Sequence, residues 1–225
     1  MKTFFTLLMF IVGLNMNAQQ QHPPLVSVVG EGIVEVVPDQ VILQARVEHE
    51  GLNPSEVKRK NDEVLDAIFK FLKKEGIDSK DVQTTYLNLN KNYDYQTKTY
   101  SYSANQSISI TIRDISKYEA IVTGLLQKGL NRIDGITFDS SEIEKHQQEA
   151  RRLAILEAKK KAELYASTLN QEIGKAYSIS ETQDNNFRPY GPEIMKMSAD
   201  SSSQQTIAPG EMKISIKVHV SFYLY

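Results

Sequence analysis

Val41-Ile-Leu-Gln-Ala-Arg-Val-Glu-His-Glu-Gly-Leu-Asn-Pro-Ser-Glu56 holds a strand, a break and a helix start in one short stretch. Val41, Leu43, Ala45 and Val47 alternate with Ile42, Gln44, Arg46 and Glu48, the period of a half-buried strand. Asn53 then stands as a helix cap, with Pro54 at the first helical position and Glu56 where a capping-box acid belongs. Val57, Val64, Leu65, Ile68, Phe71 and Leu72 recur at helical spacing, so one face of this helix packs on a sheet. Gly76 ends it as a left-handed cap.

The same grammar repeats downstream. Val82 to Asn90 reads as a strand with Thr85, Leu87 and Leu89 on one side. A hairpin follows, Tyr93-Asp-Tyr-Gln-Thr-Lys-Thr-Tyr-Ser-Tyr102, with Gln96 to Thr99 as its turn. The return strand alternates through Ile108, Ile110 and Ile112. Ser116-Lys-Tyr-Glu119 reads as a second capping box, opening a helix with Tyr118, Ile121, Val122, Leu125 and Leu126 on one face and Gly129 at its end. Asn131 to Phe138 is the next strand. The fold class expected is therefore α+β. Residues 41–139 give the order β-α-β-β-α-β, the ferredoxin-like split βαβ core, a mainly antiparallel sheet with two helices on one face.

To this core the flanks add a long third helix and strands at both ends. Ser141-Glu-Ile-Glu144 reads as a third capping box, opening a helix over 141–170. Ala150, Leu153, Ala154, Ala158, Ala162, Tyr165 and Leu169 form its inner stripe. The charged run 157–163 reads as a solvated face with pairs such as Glu157/Lys161. Residues 182–210 are rich in Ser, Asn, Gln and Pro and read as a mobile loop. Residues 212–225 form a clear strand, with Ile214, Ile216, Val218, Val220, Phe222 and Leu224 on one face. At the other end, Ser27-Val-Val-Gly-Glu-Gly-Ile-Val-Glu-Val-Val-Pro-Asp39 reads as an added strand. Val28, Val34 and Val36 oppose Val29, Ile33 and Val37, as expected of a strand covered on both sides. Its Gly30 and Gly32 mark a bulge or a close backbone approach.

Residues 1–18 have the form of a signal peptide: Lys2, an apolar run from Phe4 to Leu14, then small and polar residues, with cleavage expected near Ala18. The run is too short to span a bilayer, and no later segment approaches the length that spanning needs. The expected location is periplasmic, with no transmembrane segment in the mature chain 19–225. Without Lys2 the formal charge of −2 becomes −3, which gives no sign of a nucleic-acid partner. There is no cysteine, so stability rests on core burial rather than disulfides. An outer-membrane barrel fits poorly, given three amphipathic helices and few strands.

No catalytic constellation emerges. Gly30-Glu-Gly32 lacks the third glycine and the following helix of a dinucleotide site, since position 35 is Glu. His22, His49, His146 and His219 have no ligand spacing among them, so no metal and no cofactor are expected. There is no Gly-x-Ser-x-Gly elbow. The surface feature that stands out is the hairpin carrying Tyr93, Tyr95, Tyr100 and Tyr102, which a four-residue turn places roughly opposite one another. Such tyrosines either stabilise the sheet or make a contact surface, because Tyr is enriched in interfaces. Sugar binding is a weaker third reading.

Several short motifs run in a fixed order: Val29-Gly-Glu-Gly-Ile33, Pro38-Asp39, Gly76-Ile77, Asp81-Val-Gln-Thr84 and Tyr93-Asp-Tyr95. Gly135-Ile-Thr-Phe138, Glu149-Ala-Arg151, Glu157-Ala-Lys159, Lys161-Ala-Glu163 and Pro209-Gly-Glu211 continue the series. With them the chain resembles the SIMPL domain family of bacterial periplasmic immunogenic, outer-membrane-antigen-like proteins. It departs from the family at Asn170-Gln171, where a glycine often follows the long helix, and at Asn131, where alanine is common. The resemblance implies an exported α+β envelope protein of poorly defined role, linked to stress tolerance, with ring-like homo-oligomers and envelope partners. It supplies no catalytic residues. The expectation is a non-enzyme that self-associates; the alternative is a periplasmic ligand-binding protein or hydrolase using the 182–210 loop as a lid.

Overall fold

In the computed structural model the described residues are 23–182 and 207–225. Their elements run β1 (Leu25–Val36), β2 (Gln40–Gly51), α1 (Pro54–Lys74), β3 (Val82–Asp94), β4 (Thr99–Ile112), α2 (Tyr118–Gln127), β5 (Arg132–Asp139), α3 (Ile143–Thr168), β6 (Ile173–Thr182) and β7 (Met212–Leu224). The strands form two antiparallel sheets, ordered β3-β4-β2-β5 and β1-β7-β6. The signal-peptide segment and most of the 182–210 loop lie outside the described residues.

The four-stranded sheet is the ferredoxin-like core, α+β as expected. Val41, Leu43, Ala45 and Val47 of β2 and Ile108, Ile110 and Ile112 of β4 are buried in one cluster. Leu65, Ile68 and Leu72 of α1 join them, as do Ile121 and Leu125 of α2, so both helices cover the same face. Asn61 of α1, unremarked in the sequence, is also buried, and its side chain meets His49 Nδ1 at 3.2 Å. That contact supplies the partner a buried amide needs.

Helix starts differ in detail from the sequence expectation. Asn53 caps α1 by accepting from the N–H groups of Ser55 and Glu56, but Glu56 pairs with Lys60 at 2.9 Å instead of closing a capping box. Ser116 does not cap α2: Asp114 accepts from its N–H and hydroxyl, creating a 3₁₀ turn over Ile115–Lys117. Ser141 gives both its N–H and its hydroxyl to the Asp39 carboxylate, so α3 starts two residues later without a side-chain cap. Asn170, where the family often has glycine, takes φ +56, the left-handed conformation that asparagine tolerates. Asn131 gives its side-chain N–H to Glu48 O and accepts from Glu48 N–H, acting as one more rung of the β2–β5 ladder.

The two terminal strands do not extend the core sheet. They pair with each other from Leu25↔Tyr223 to Val36↔Met212, and β6 takes the other side of β7. Helix α3 covers one face of this second sheet with Ala150, Ala154, Ala158, Ala162 and Ala166 buried at every fourth position. Tyr165 and Leu169, expected on the inner stripe, are exposed. A Cβ at Gly30 would fall onto the backbone carbonyl of Ala154, and one at Gly32 onto that of Ala150. The glycines are therefore a close approach of helix and strand.

That approach brings α3 side chains over the free edge of β1. Glu157 accepts from the Glu31 N–H, and Lys161 donates to the Val29 carbonyl at 3.0 Å. The two are also an ion pair at 2.9 Å. The run read as a solvated helix face thus caps backbone groups on an edge strand, a defence against edge-to-edge pairing. Among the described residues nothing covers the far face of β1, where Val29 and Ile33 are 40% and 39% exposed, so the described part of the chain covers this strand on one side and not on the two expected. Among the described residues α3 is the one helix on this three-stranded sheet, and the other face carries none.

Candidate interaction surface

The tyrosine hairpin is the end of the longest strand pair in the core sheet. Asp94 accepts from the N–H groups of Gln96 and Thr97, and Lys98 takes φ +55. These local bonds start the turn at Tyr95, so Asp94 pairs with Thr99 and the turn lies one residue earlier than the sequence spacing implies. The same N–H groups hold the Asp94 carboxyl below the usual carboxylate range, the Gln96 backbone first. Tyr93 accordingly lies across from Tyr100, and Lys91 across from Tyr102.

Strand β2 ends at Gly51, opposite Tyr102. The rungs beyond are a two-stranded ribbon that leaves the four-stranded sheet behind. Alternation from Ile112, Ile110 and Ile108 through Ala104 and Tyr102 to Tyr100 puts the tyrosines on the helix-bearing face. Helix α1 packs chiefly on β2 and β4, and among the described residues no helix packs closely on the ribbon.

The Tyr93 and Tyr95 rings meet edge to face at 5.0 Å between centroids, and Tyr93 and Tyr100 are tilted at 4.9 Å. Lys91 Nζ lies 3.9 Å from the centroid of the Tyr100 ring. Aromatic pairs of this kind contribute about 0.5–1.5 kcal/mol each beyond burial. Even so, Tyr95 remains 85% exposed. Tyr102 sits one rung inward, half-buried, outside the ring cluster. On β3 the strip continues through exposed Leu89 and Leu87, the latter 65% exposed. Sequence reasoning found the four tyrosines and placed Leu87 and Leu89 on one side of their strand, but joined neither these nor Lys91 to the tyrosines. The period-2 run Leu87, Leu89, Lys91, Tyr93 carried that signal.

The other candidates resolve to structural roles or stay apart. Among the described residues no three His, Cys, Asp or Glu side chains gather as a metal site. His146 lies on α3 near Glu142, which is paired with Lys145 at 2.9 Å. His219 stands on β7 across from Val29, and His22 falls outside the described residues. A shallow cavity of about 400 Å³ opens at the end of α3, lined by Leu25, Val26, Tyr165, Leu169 and Leu224 among others. Its walls carry no convergent charged groups. Thr182, where the 182–210 segment begins, pairs with Lys217, roughly 24 Å along β7 from Leu224. Among the described residues no helix is long and apolar enough to cross a membrane.

The sequence profile of the SIMPL family, described as a protein of unknown function (DUF541), matches residues 26–222. An uncharacterized protein YggE of Edwardsiella ictaluri is 29% identical over 195 residues, covering 85% of this chain and 81% of its own length. Uncharacterized protein YggE of Escherichia coli K12 is 27% identical over 224 residues, covering 96% and 90%. The 26 kDa periplasmic immunogenic protein of Brucella melitensis is 24% identical over 221 residues, covering 92% and 87%.

Proposed function

The chain belongs to the SIMPL family, proteins of unknown function, and on that premise we propose that it is an exported, non-enzymatic envelope protein acting by self-association through the tyrosine hairpin. The observation that carries this reading is the ribbon beyond Gly51, where Tyr93, Tyr95 and Tyr100 form a preorganised, exposed aromatic cluster continuous with Leu87 and Leu89. Exposed apolar patches of that kind mark association sites. Export is supported by the sequence of residues 1–18 and by the periplasmic designation of the Brucella melitensis relative. A role in envelope stress tolerance is part of the same proposal.

Association goes by the face of the ribbon rather than by strand edges. The edge of β1 is capped by Glu157 and Lys161. The ladders of β3 and β6 are broken by register shifts, and β5 is only 8 residues long with a shift of its own. Each device discourages edge pairing. Amide hydrogen exchange on residues 19–225 tests the reading. Protection over 87–102 is expected to rise with protein concentration while α1 stays unchanged. Exchange over 87–102 that is indifferent to concentration would sink it.

A further inference from the structure

We propose that the face of the β3–β4 hairpin opposite the tyrosine cluster binds an extended, uncharged glycan bearing acetamido groups. Alternation places Ile108 and Ile110 under the helices, so the intervening residues of β4 point to the other face. From Ser101 to Ser109 every one of these is a serine or an asparagine. Beside them β3 presents Asn88, Asn90 and Asn92, beyond Tyr86. Asn is depleted in strands, where Thr is enriched, so Asn88, Asn90, Asn92 and Asn105 stand on this face against local preference. A face built against local preference is where function is expected.

The groups are ordered as well as concentrated. Asn92 donates to Ser103 Oγ at 3.1 Å, Gln44 to Ser109 Oγ at 3.0 Å, and Asn88 to the Tyr86 hydroxyl at 2.7 Å. That last bond fixes an exposed aromatic ring in the midst of amides and hydroxyls. A flat ring that packs the C–H side of a pyranose, flanked by amide donors and acceptors for its acetamido and hydroxyl groups, is the chemistry of glycan recognition. Ser103 and Ser107 are buried within the strip, so its accessible groups are Ser101, Asn105 and Ser109 with Asn88, Asn90 and Asn92 beside them, over roughly 27 Å from end to end.

Charge complementarity selects the partner. The β3 and β4 parts of the strip, Tyr86–Asn92 and Ser101–Ser109, carry no charge on this face. On the neighbouring strands Arg46, Glu48, Arg132 and Asp134 close into a ring of ion pairs at 2.9–3.3 Å and cancel. Glu50 remains at the rim. A neutral face gives no hold to a polyphosphate or an anionic lipid surface, and fits a neutral polymer.

Titration of residues 19–225 with chitohexaose, followed by calorimetry, tests this. Binding is expected, unchanged between low and high salt. Tyr86→Ala should weaken it at least tenfold, and Tyr95→Ala on the opposite face should leave it unaltered. Should Tyr86→Ala fail to fold, the exposed Asn90→Ala carries the test and should also weaken binding. Absence of binding at millimolar chitohexaose, a loss with Tyr95→Ala equal to that with Tyr86→Ala, or affinity that falls with salt would each overturn the proposal.

Discussion

At Gly32 an added methyl group would meet the Ala150 carbonyl, and backbone cannot swing aside as a side chain does. Gly32→Ala is therefore expected to cost at least the ~1–3 kcal/mol of ordinary overpacking, read as a lower denaturation midpoint with an unchanged slope. Stability equal to the native chain would contradict the close approach. Among the carboxyls held below their usual range, three tie together residues far apart in the chain. Asp39 is lowered chiefly by the Ser141 hydroxyl, Asp81 by its hydrogen bonds from Arg113, and Glu157 by the Glu31 N–H. Because these are depressed in the folded chain, their contribution is complete above the unfolded values near 4 and is lost as pH falls through the lowered ones. Thermal melts should fall on acidification below about pH 4, and Glu157→Gln should flatten part of that fall. A melting temperature that rises below pH 4 would contradict the assignment.

Among the elements, β1 and α3 depend on each other: the glycines admit the helix, and the helix caps the strand's edge. Lys161→Ala should change stability by less than about 1 kcal/mol, as exposed ion pairs do, yet increase aggregation, measured as light scattering on prolonged incubation. No gain in aggregation would mean that the cap is idle. Asp94→Ala should loosen the turn that sets Tyr93 across from Tyr100, and weaken the near-ultraviolet signal of the ring cluster. How far these elements were legible depends on the range of the forces behind them. The core was readable because Val41–Val47 and Ile108–Ile112 carry their burial in a strict period of 2. Pairing of β1 with β7 spans nearly the whole chain, and local periodicity says nothing of it. The roles of Ser116 and Ser141 were misread because Asp114 and Asp39 compete for the same hydroxyls. The tyrosines were visible as residues, while their register hung on one Asp94 side chain. The amide face of the hairpin went unread, since Asn and Ser in alternate positions resemble loop composition until β4 fixes which way they point.

Over the whole molecule, one part buries its core between a four-stranded sheet and two helices, and another between a three-stranded sheet and α3. Val37-Pro38-Asp39 connects them, with Asp39 tied to Ser141 and Gln40 to Asp139 at 3.0 Å. Ile207 packs on the four-stranded core shortly before β7 enters the other sheet. Both parts thus have their own cores, and the ribbon beyond Gly51 projects past the four-stranded sheet. The central claim is tested most directly by the mass of residues 19–225 in solution, measured by light scattering across a concentration series. The account predicts a mass above that of one chain, falling to one chain in Tyr95→Ala/Tyr100→Ala with the melting temperature retained. A native protein of one-chain mass at every concentration would contradict it.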